Sequence, residues 1–365
     1  MTTLNEFLKN DIFKLPLNYS GDFQKFLKDL LVNKFLTKIE TLKEEELDSN
    51  SFMYPIDFIK ETQRKFVYGL LETVSLYFEG KPNRAYEKFS NTIRSDLKDF
   101  DDILNFKEVD RNVSFYRIRL SASNYQLDKS ELFHIPFEKR GNVKSQRFSI
   151  PGFPSLYLGT SIYICWEEMN RPLRNEFQVV RLENKSPLKI LDLSPLNTQE
   201  LLDKKKLYRY FMTWPLIALC SIKVSNKDDT FKPEYILPQI LLEWISDNHS
   251  IDGLFYQTTH IDFDKVSTRG ELTNAVFPVL SSNDNGICPE LAKRFKITQP
   301  FSLELIDFIE GFPELRIEDI NGDIDPLDLK IKSFEILKGK TIKYSDSIFG
   351  EMEKYLEKEP LYEIL

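Results

Sequence analysis

Residues 144–169 read KSQRFSIPGFPSLYLGTSIYICWEEM. An arginine, a tight turn, a short apolar strand and a helix ending in two carboxylates follow one another here without a gap. Pro151-Gly152-Phe153-Pro154 is turn chemistry, since proline fixes φ and glycine admits φ > 0. Leu156-Tyr157-Leu158 then reads as a buried strand. Thr160-Ser161 can cap a helix whose apolar positions are Ile162, Cys165, Trp166 and Met169. At about 100° per residue, Glu167 falls opposite that stripe and is expected to face water. Glu168 falls on the flank of the stripe, where a side chain can lean into a cleft, and is the better candidate for chemistry.

Upstream, Ser114-Phe115-Tyr116-Arg117-Ile118-Arg119-Leu120 alternates with period two, as a half-buried strand does. An irregular insertion occupies 121–143. Downstream, Pro172 is placed to end the helix, and Phe177–Leu182 and Leu188–Leu193 read as strands. Helices are expected over 207–220 and 235–247, then strands at Gly253–Gln257 and Ala275–Val279. This mixture predicts an α+β fold with a central sheet and helices around it. Residues 1–110 read as a helical N-terminal region. Phe23, Phe26, Leu27, Leu30 and Leu31 are at helical spacing, as are Ile59, Phe66, Leu70 and Tyr77. Gly80 can stop that second helix, and Pro82 can start the next, with Ala85, Phe89, Ile93 and Leu97 on one face. Residues 111–299 form the expected catalytic domain. Residues 300–365 form an extension with strand-like runs at 301–305 and 331–337 and a final helix near 346–357, without a functional reading.

The chain has 365 residues, 41% hydrophobic and 29% charged, with a net charge of −8. That is the composition of an ordinary globular protein with room for about two domains. The negative balance argues against a broad nucleic-acid or anionic-membrane surface and leaves a local basic cleft open. No basic start with an apolar middle marks a signal peptide, and the longest apolar run, Trp214–Cys220, is too short to span a bilayer. Cys165, Cys220 and Cys288 read as buried free thiols, which together with the missing signal points to the cytoplasm. No Gly-x-Gly-x-x-Gly, P-loop or nucleophile elbow is present. His134, His249 and His260 lack metal-ligand spacing. His134, between Phe133 and Ile135, reads as a hydrogen-bonded core histidine. His260, two residues beyond Thr258, could line the same cleft as that threonine.

The ordered set Tyr116-Arg117, Arg147-Phe148-Ser149, Pro151-Gly152, Tyr157 and Glu168, followed by Asp252-Gly253-Leu254-Phe255-Tyr256-Gln257-Thr258 and Asn274-Ala275-Val276-Phe277, resembles the RES domain. The resemblance covers about residues 112–280, roughly half the chain. The family's serine is replaced by Thr258, which keeps the hydroxyl but stiffens χ1. Phe148-Ser149 stands where the family often has Trp-Asn.

The resemblance implies an ADP-ribosyltransferase-like fold and an enzyme that consumes NAD by breaking its nicotinamide–ribose bond, as a toxin or in defence. Nicotinamide leaves from a bond in which it is already cationic, so no general acid is needed, and the transition state is oxocarbenium-like. One carboxylate beside the ribose can stabilise that charge, which suits Glu168. Planar guanidinium forks match a pyrophosphate, which suits Arg117 and Arg147. Tyr157 could stack on the nicotinamide. Glu168, Arg147 and Tyr157 are thus the expected catalytic group. Arg117, Tyr116, Thr258 and Arg140 are the residues expected to hold NAD. NAD is the expected substrate, with phosphate or water as acceptor and no metal. ADP-ribosyl transfer to a macromolecule, or a non-catalytic RES-like binding or regulatory module, are the alternatives. The expected partners are NAD and, on the toxin analogy, a small antitoxin. No nucleic acid and no membrane are expected, and a homo-oligomer is left open.

Overall fold

The computed structural model describes residues 4–43, 54–97, 100–121, 125–196, 200–259, 261, 266–268, 272–310, 327–328 and 331–365. The chain forms two compact units, and neither is continuous in sequence. The first takes residues 1–107, 145–149 and 191–249; the second takes 108–144, 150–190 and 250–365. The tail expected as a separate extension therefore belongs to the second unit. Two helices from the middle of the chain belong to the first.

The first unit is helical, as its periodicity predicts. Helix Ile56–Phe78 buries Ile59, Phe66 and Leu70. It ends where Gly80 takes φ +75°, and Pro82 opens helix Pro82–Asn91 at its first turn. Helices Lys204–Cys220 and Ile236–Asp247 complete the set. Pro215, inside the first of these two, has no N–H, so the Phe211 carbonyl loses its i+4 donor. Gln63 compensates: its Nε2 donates to Phe211 O at 3.4 Å and Met212 O at 3.0 Å. The Trp214 ring stacks on Phe35 at 4.6 Å, fixing that helix in the core.

The strands fall mainly in the second unit. The strands are β1 (Phe106–Val109), β2 (Ser114–Leu120), β3 (Ser155–Gly159), β4 (Phe177–Asn184), β5 (Leu188–Asp192), β6 (Gly253–Gln257), β7 (Val266–Thr268), β8 (Thr273–Pro278), β9 (Phe295–Ile297), β10 (Ile331–Leu337), β11 (Lys340–Lys343) and β12 (Tyr362–Glu363). Nine pair in the order β1-β5-β6-β8-β3-β2-β4-β9-β12, and β11-β10-β7 make a second, smaller sheet. The fold is α+β. Period-two alternation sorts side chains to two cores. Phe115, Leu156, Leu158, Val180, Ala275 and Phe277 pack on one face of the large sheet. Tyr116, Ile118 and Val179 pack on the other, beneath helix Ile162–Glu168 and the tail residues Phe334, Tyr344, Phe349 and Met352.

The insertion at 121–143 holds two short 3₁₀ turns, Lys129–Leu132 and Phe137–Asn142. The 301–305 run departs from expectation. Phe301 makes an isolated antiparallel bridge to Val179, and helix Leu303–Glu310 follows at once. Its apolar residues look equally strand-like or helical over five positions, and the bridge exhausts the extended part.

Candidate active site

The stretch from Pro151 onward folds as a turn, a strand and a helix in immediate succession. Gly152 takes φ +78° in the turn. β3 ends at Gly159, where an added Cβ would lie 2.7 Å from Cys165 Sγ and 3.0 Å from Ser161 O. The bare glycine lets the following helix fold back directly on the strand end. Ser161 caps that helix, its Oγ accepting the Ile164 N–H at 3.2 Å. The helix ends at Glu168, before Pro172 is reached. Asn170 and Arg171, both left-handed at φ +59° and +58°, turn the chain back.

That reversal overturns the expectation for Glu167. Rather than facing water it is 3% exposed, and Arg171 donates to it from Nε at 2.9 Å and Nη2 at 3.0 Å. A bidentate guanidinium lets a carboxylate be enclosed at this depth. A stripe read on seven residues misleads here because five of the seven are buried.

Glu168 is half-buried, and Asn274 Nδ2 donates to its Oε1 at 2.8 Å. Asn274 lies opposite Gly159 on β3 and opposite Tyr256 on β6. Tyr157 is two residues before Gly159, so Tyr157, Asn274 and Tyr256 share one face of the sheet. Diagonal neighbours on a face are about 7–8 Å apart, within reach of a common ligand. Tyr157 and Tyr256 are both half-buried. In the sequence Asn274 carries only a weak signal of its own, a lone amide side chain just before the apolar run Ala275–Phe277.

Arg117 enters from β2. β2 pairs with β4 along its whole length but with β3 through Tyr116 and Gly159 alone. Where that ladder stops, Arg117 Nη1 donates to the Tyr157 carbonyl at 2.7 Å. Arg117 is half-buried, and burial pushes its guanidinium down to about 10, which leaves it a cation at neutral pH. Arg117 thus reaches the Tyr157 backbone at the parting of β2 and β3, while alternation along β2 sends its side chain to the face opposite Tyr116, Tyr157 and Asn274.

The other expected residues fare differently. Tyr116 is a correction: consecutive strand residues point to opposite faces, so it turns away from Arg117 into the core at 0% exposure. Burial first, and then the Glu353 and Glu357 carboxylates, push its phenol upward. Thr258, just past β6, is enclosed. Arg140 staples a loop, donating to Ser282 Oγ at 2.5 Å and lying over the Phe137 ring at 4.9 Å. Arg147 belongs to the first unit, where its Nη1 donates to Cys220 O at 3.1 Å and its guanidinium lies 5.5 Å over the Tyr235 ring. Gln239 holds the same segment through the Gln146 and Ser149 carbonyls, both at 3.0 Å. His134 is the core histidine its neighbours predict. Nδ1 bonds Ile135 O at 2.8 Å, Cys288 N–H donates to Nε2 at 2.7 Å, and burial pushes it down to about 4. His260 lies outside the described residues.

The chain is 33% identical over 346 residues to the protein named "Putative toxin YopC" of Bacillus subtilis (strain 168), which covers 89% of this chain and 75% of that protein. The chain belongs to the YopC family. No protein-family model matches it, and no solved structure does. The YopC likeness spans far more of the chain than the RES-like motifs between 112 and 280, so it takes in flanking sequence that those motifs leave out.

In this YopC-family chain, the site offers a half-buried carboxylate held by an amide and two phenol rings on the same face, with the Arg117 guanidinium bonded to the Tyr157 backbone from the opposite face. That set can stabilise positive charge on a sugar and dock a flat ring. Cys165 and Cys220 are poor nucleophiles, because burial pushes both thiols up to about 12. Among the described residues no three His, Cys, Asp or Glu side chains gather as a metal-holding group, and no helix is long and apolar enough to cross a membrane.

Proposed function

We propose that this chain is a toxin-type enzyme that breaks the nicotinamide–ribose bond of NAD and passes ADP-ribose to phosphate or water. The toxin part of the reading draws on the name of the Bacillus subtilis relative. The chemical part rests on one contact above all, the Asn274 amide donating to Glu168 on the face that carries Tyr157.

In this reading Glu168 sits under the anomeric carbon and stabilises the oxocarbenium-like charge as nicotinamide departs. Asn274 fixes the carboxylate against rotation. Tyr157 offers its ring to the nicotinamide.

The test is purified full-length protein with NAD, with and without phosphate, and product identification. Release of nicotinamide with ADP-ribose or ADP-ribose phosphate is expected. Glu168→Gln should lower the rate by about 100-fold or more, the usual scale for loss of one electrostatic stabiliser, with an unchanged circular-dichroism spectrum. NAD left intact by the wild-type protein in both buffers would overturn the reading.

A further inference from the structure

The tail beyond residue 300 carries no motif, yet it touches the helix that bears Glu168 at a specific point. Glu353, on helix Ile348–Lys358, is 0% exposed. Its Oε1 accepts the Ile162 N–H at 2.7 Å and the Tyr344 hydroxyl at 2.5 Å. Ile162 is the first residue of the seven-residue helix that ends at Glu168. First-turn amides have no partner inside their own helix. Ser161 supplies one for Ile164, and Glu353 supplies one for Ile162 from 191 residues away. The tail helix is itself anchored at its far end, where Arg181 Nε on β4 donates to the Leu356 carbonyl at 3.0 Å. Aromatic packing closes the joint: the Tyr163 ring stacks on Phe334 at 4.7 Å, and Trp166 meets Phe349 at 5.2 Å.

We infer that Glu353 is a positioning residue for Glu168: it clamps the N-terminus of the short helix so that the carboxylate at the other end stays registered on Asn274. A helix of about two turns has little rigidity of its own and takes its orientation from what holds its ends. Here one end is held by Glu353 and the other by Asn274, through Glu168 itself. Burying a carboxylate is costly unless its oxygen is hydrogen-bonded, and a merely space-filling position would hold an apolar side chain at lower cost. The inference rests on the reading of Glu168 as the catalytic carboxylate, but the clamp has its own readout.

The experiment compares Glu353→Gln, Glu353→Ala and Tyr344→Phe in the full chain. Glutamine keeps an acceptor oxygen for the Ile162 N–H; alanine does not. Hydrogen exchange of a peptide covering 160–170 should quicken in Glu353→Ala and stay near wild type in Glu353→Gln and Tyr344→Phe. With NAD as substrate, Glu353→Ala should lose about 10- to 100-fold in kcat with little change in KM, since binding groups are untouched and only the reacting carboxylate shifts. Glu353→Gln should restore most of it. Exchange over 160–170 unchanged in Glu353→Ala, or glutamine as damaging as alanine, overturns the clamp. Should Glu353→Ala not fold, the glutamine variant decides: normal exchange and kcat support the clamp, faster exchange with lower kcat overturns it. A wild-type protein inert towards NAD would overturn the functional reading alone, because the exchange comparison still decides whether Glu353 holds the helix.

Discussion

Asn274 and Glu168 form the contact on which the proposed chemistry turns, and its energy is of a kind that mutation can measure. A hydrogen bond from an amide to a carboxylate contributes about 1.5–3 kcal/mol, which as transition-state positioning amounts to roughly 10- to 100-fold in rate. Asn274→Ala should therefore cost that factor in kcat while leaving thermal stability within a few degrees; an unchanged kcat would show that Glu168 needs no such partner. His134 makes a separate prediction about pH. Its folded value near 4 lies below the ordinary 6.5, because burial excludes the charged ring. On acidification the unfolded chain takes this proton first, so the stabilisation is complete above about pH 6.5 and is lost progressively down to pH 4. It reaches about 3 kcal/mol at most. Urea midpoints measured between pH 7 and 4 should fall more steeply for the wild type than for His134→Gln. Parallel slopes would mean that His134 titrates normally.

At the scale of elements, the joint between β3 and the Glu168 helix depends on the absence of one side chain. Gly159→Ala would drive a Cβ to within 2.7 Å of Cys165 Sγ and 3.0 Å of a backbone oxygen. Overpacking of this kind costs about 1–3 kcal/mol, read as a lower urea midpoint with an unchanged slope. A loss below about 0.5 kcal/mol would mean that the helix slides away freely. β2 was legible in the sequence to its last residue, because the Arg117-Ile118-Arg119-Leu120 alternation after two large apolar residues reads as a strand. Helix Ile162–Glu168 was legible as a helix but not in its facing. With the sheet on one side and the tail on the other, its outward face is covered too, and periodicity cannot report a partner that arrives from 170 residues downstream. Glu167 was misread because Arg171, four residues on, folds back to enclose it, and Asn274 gained a role only when β8 was laid against β3.

At the scale of the whole molecule, the tail is part of the second unit rather than an appendage. Phe334, Tyr344, Phe349 and Met352 share a core with Tyr116, Ile162, Tyr163 and Ile164. Truncation after residue 299 should therefore strip the apolar cover from the Glu168 helix. The shortened chain is expected to aggregate or to lose its cooperative unfolding transition; a soluble, cooperatively folding 1–299 fragment would show that the tail is dispensable. From the chain alone came the strands and helices with strong periodicity, the α+β class and the core character of His134. These are local properties, fixed by φ preferences, side-chain period and composition within a few residues. Which segments joined which unit, where Arg147 was anchored, and which group held each end of the Glu168 helix were decided only by tertiary structure. Those choices depend on contacts between residues far apart in the chain, made wherever buried donors, acceptors and apolar faces found partners together.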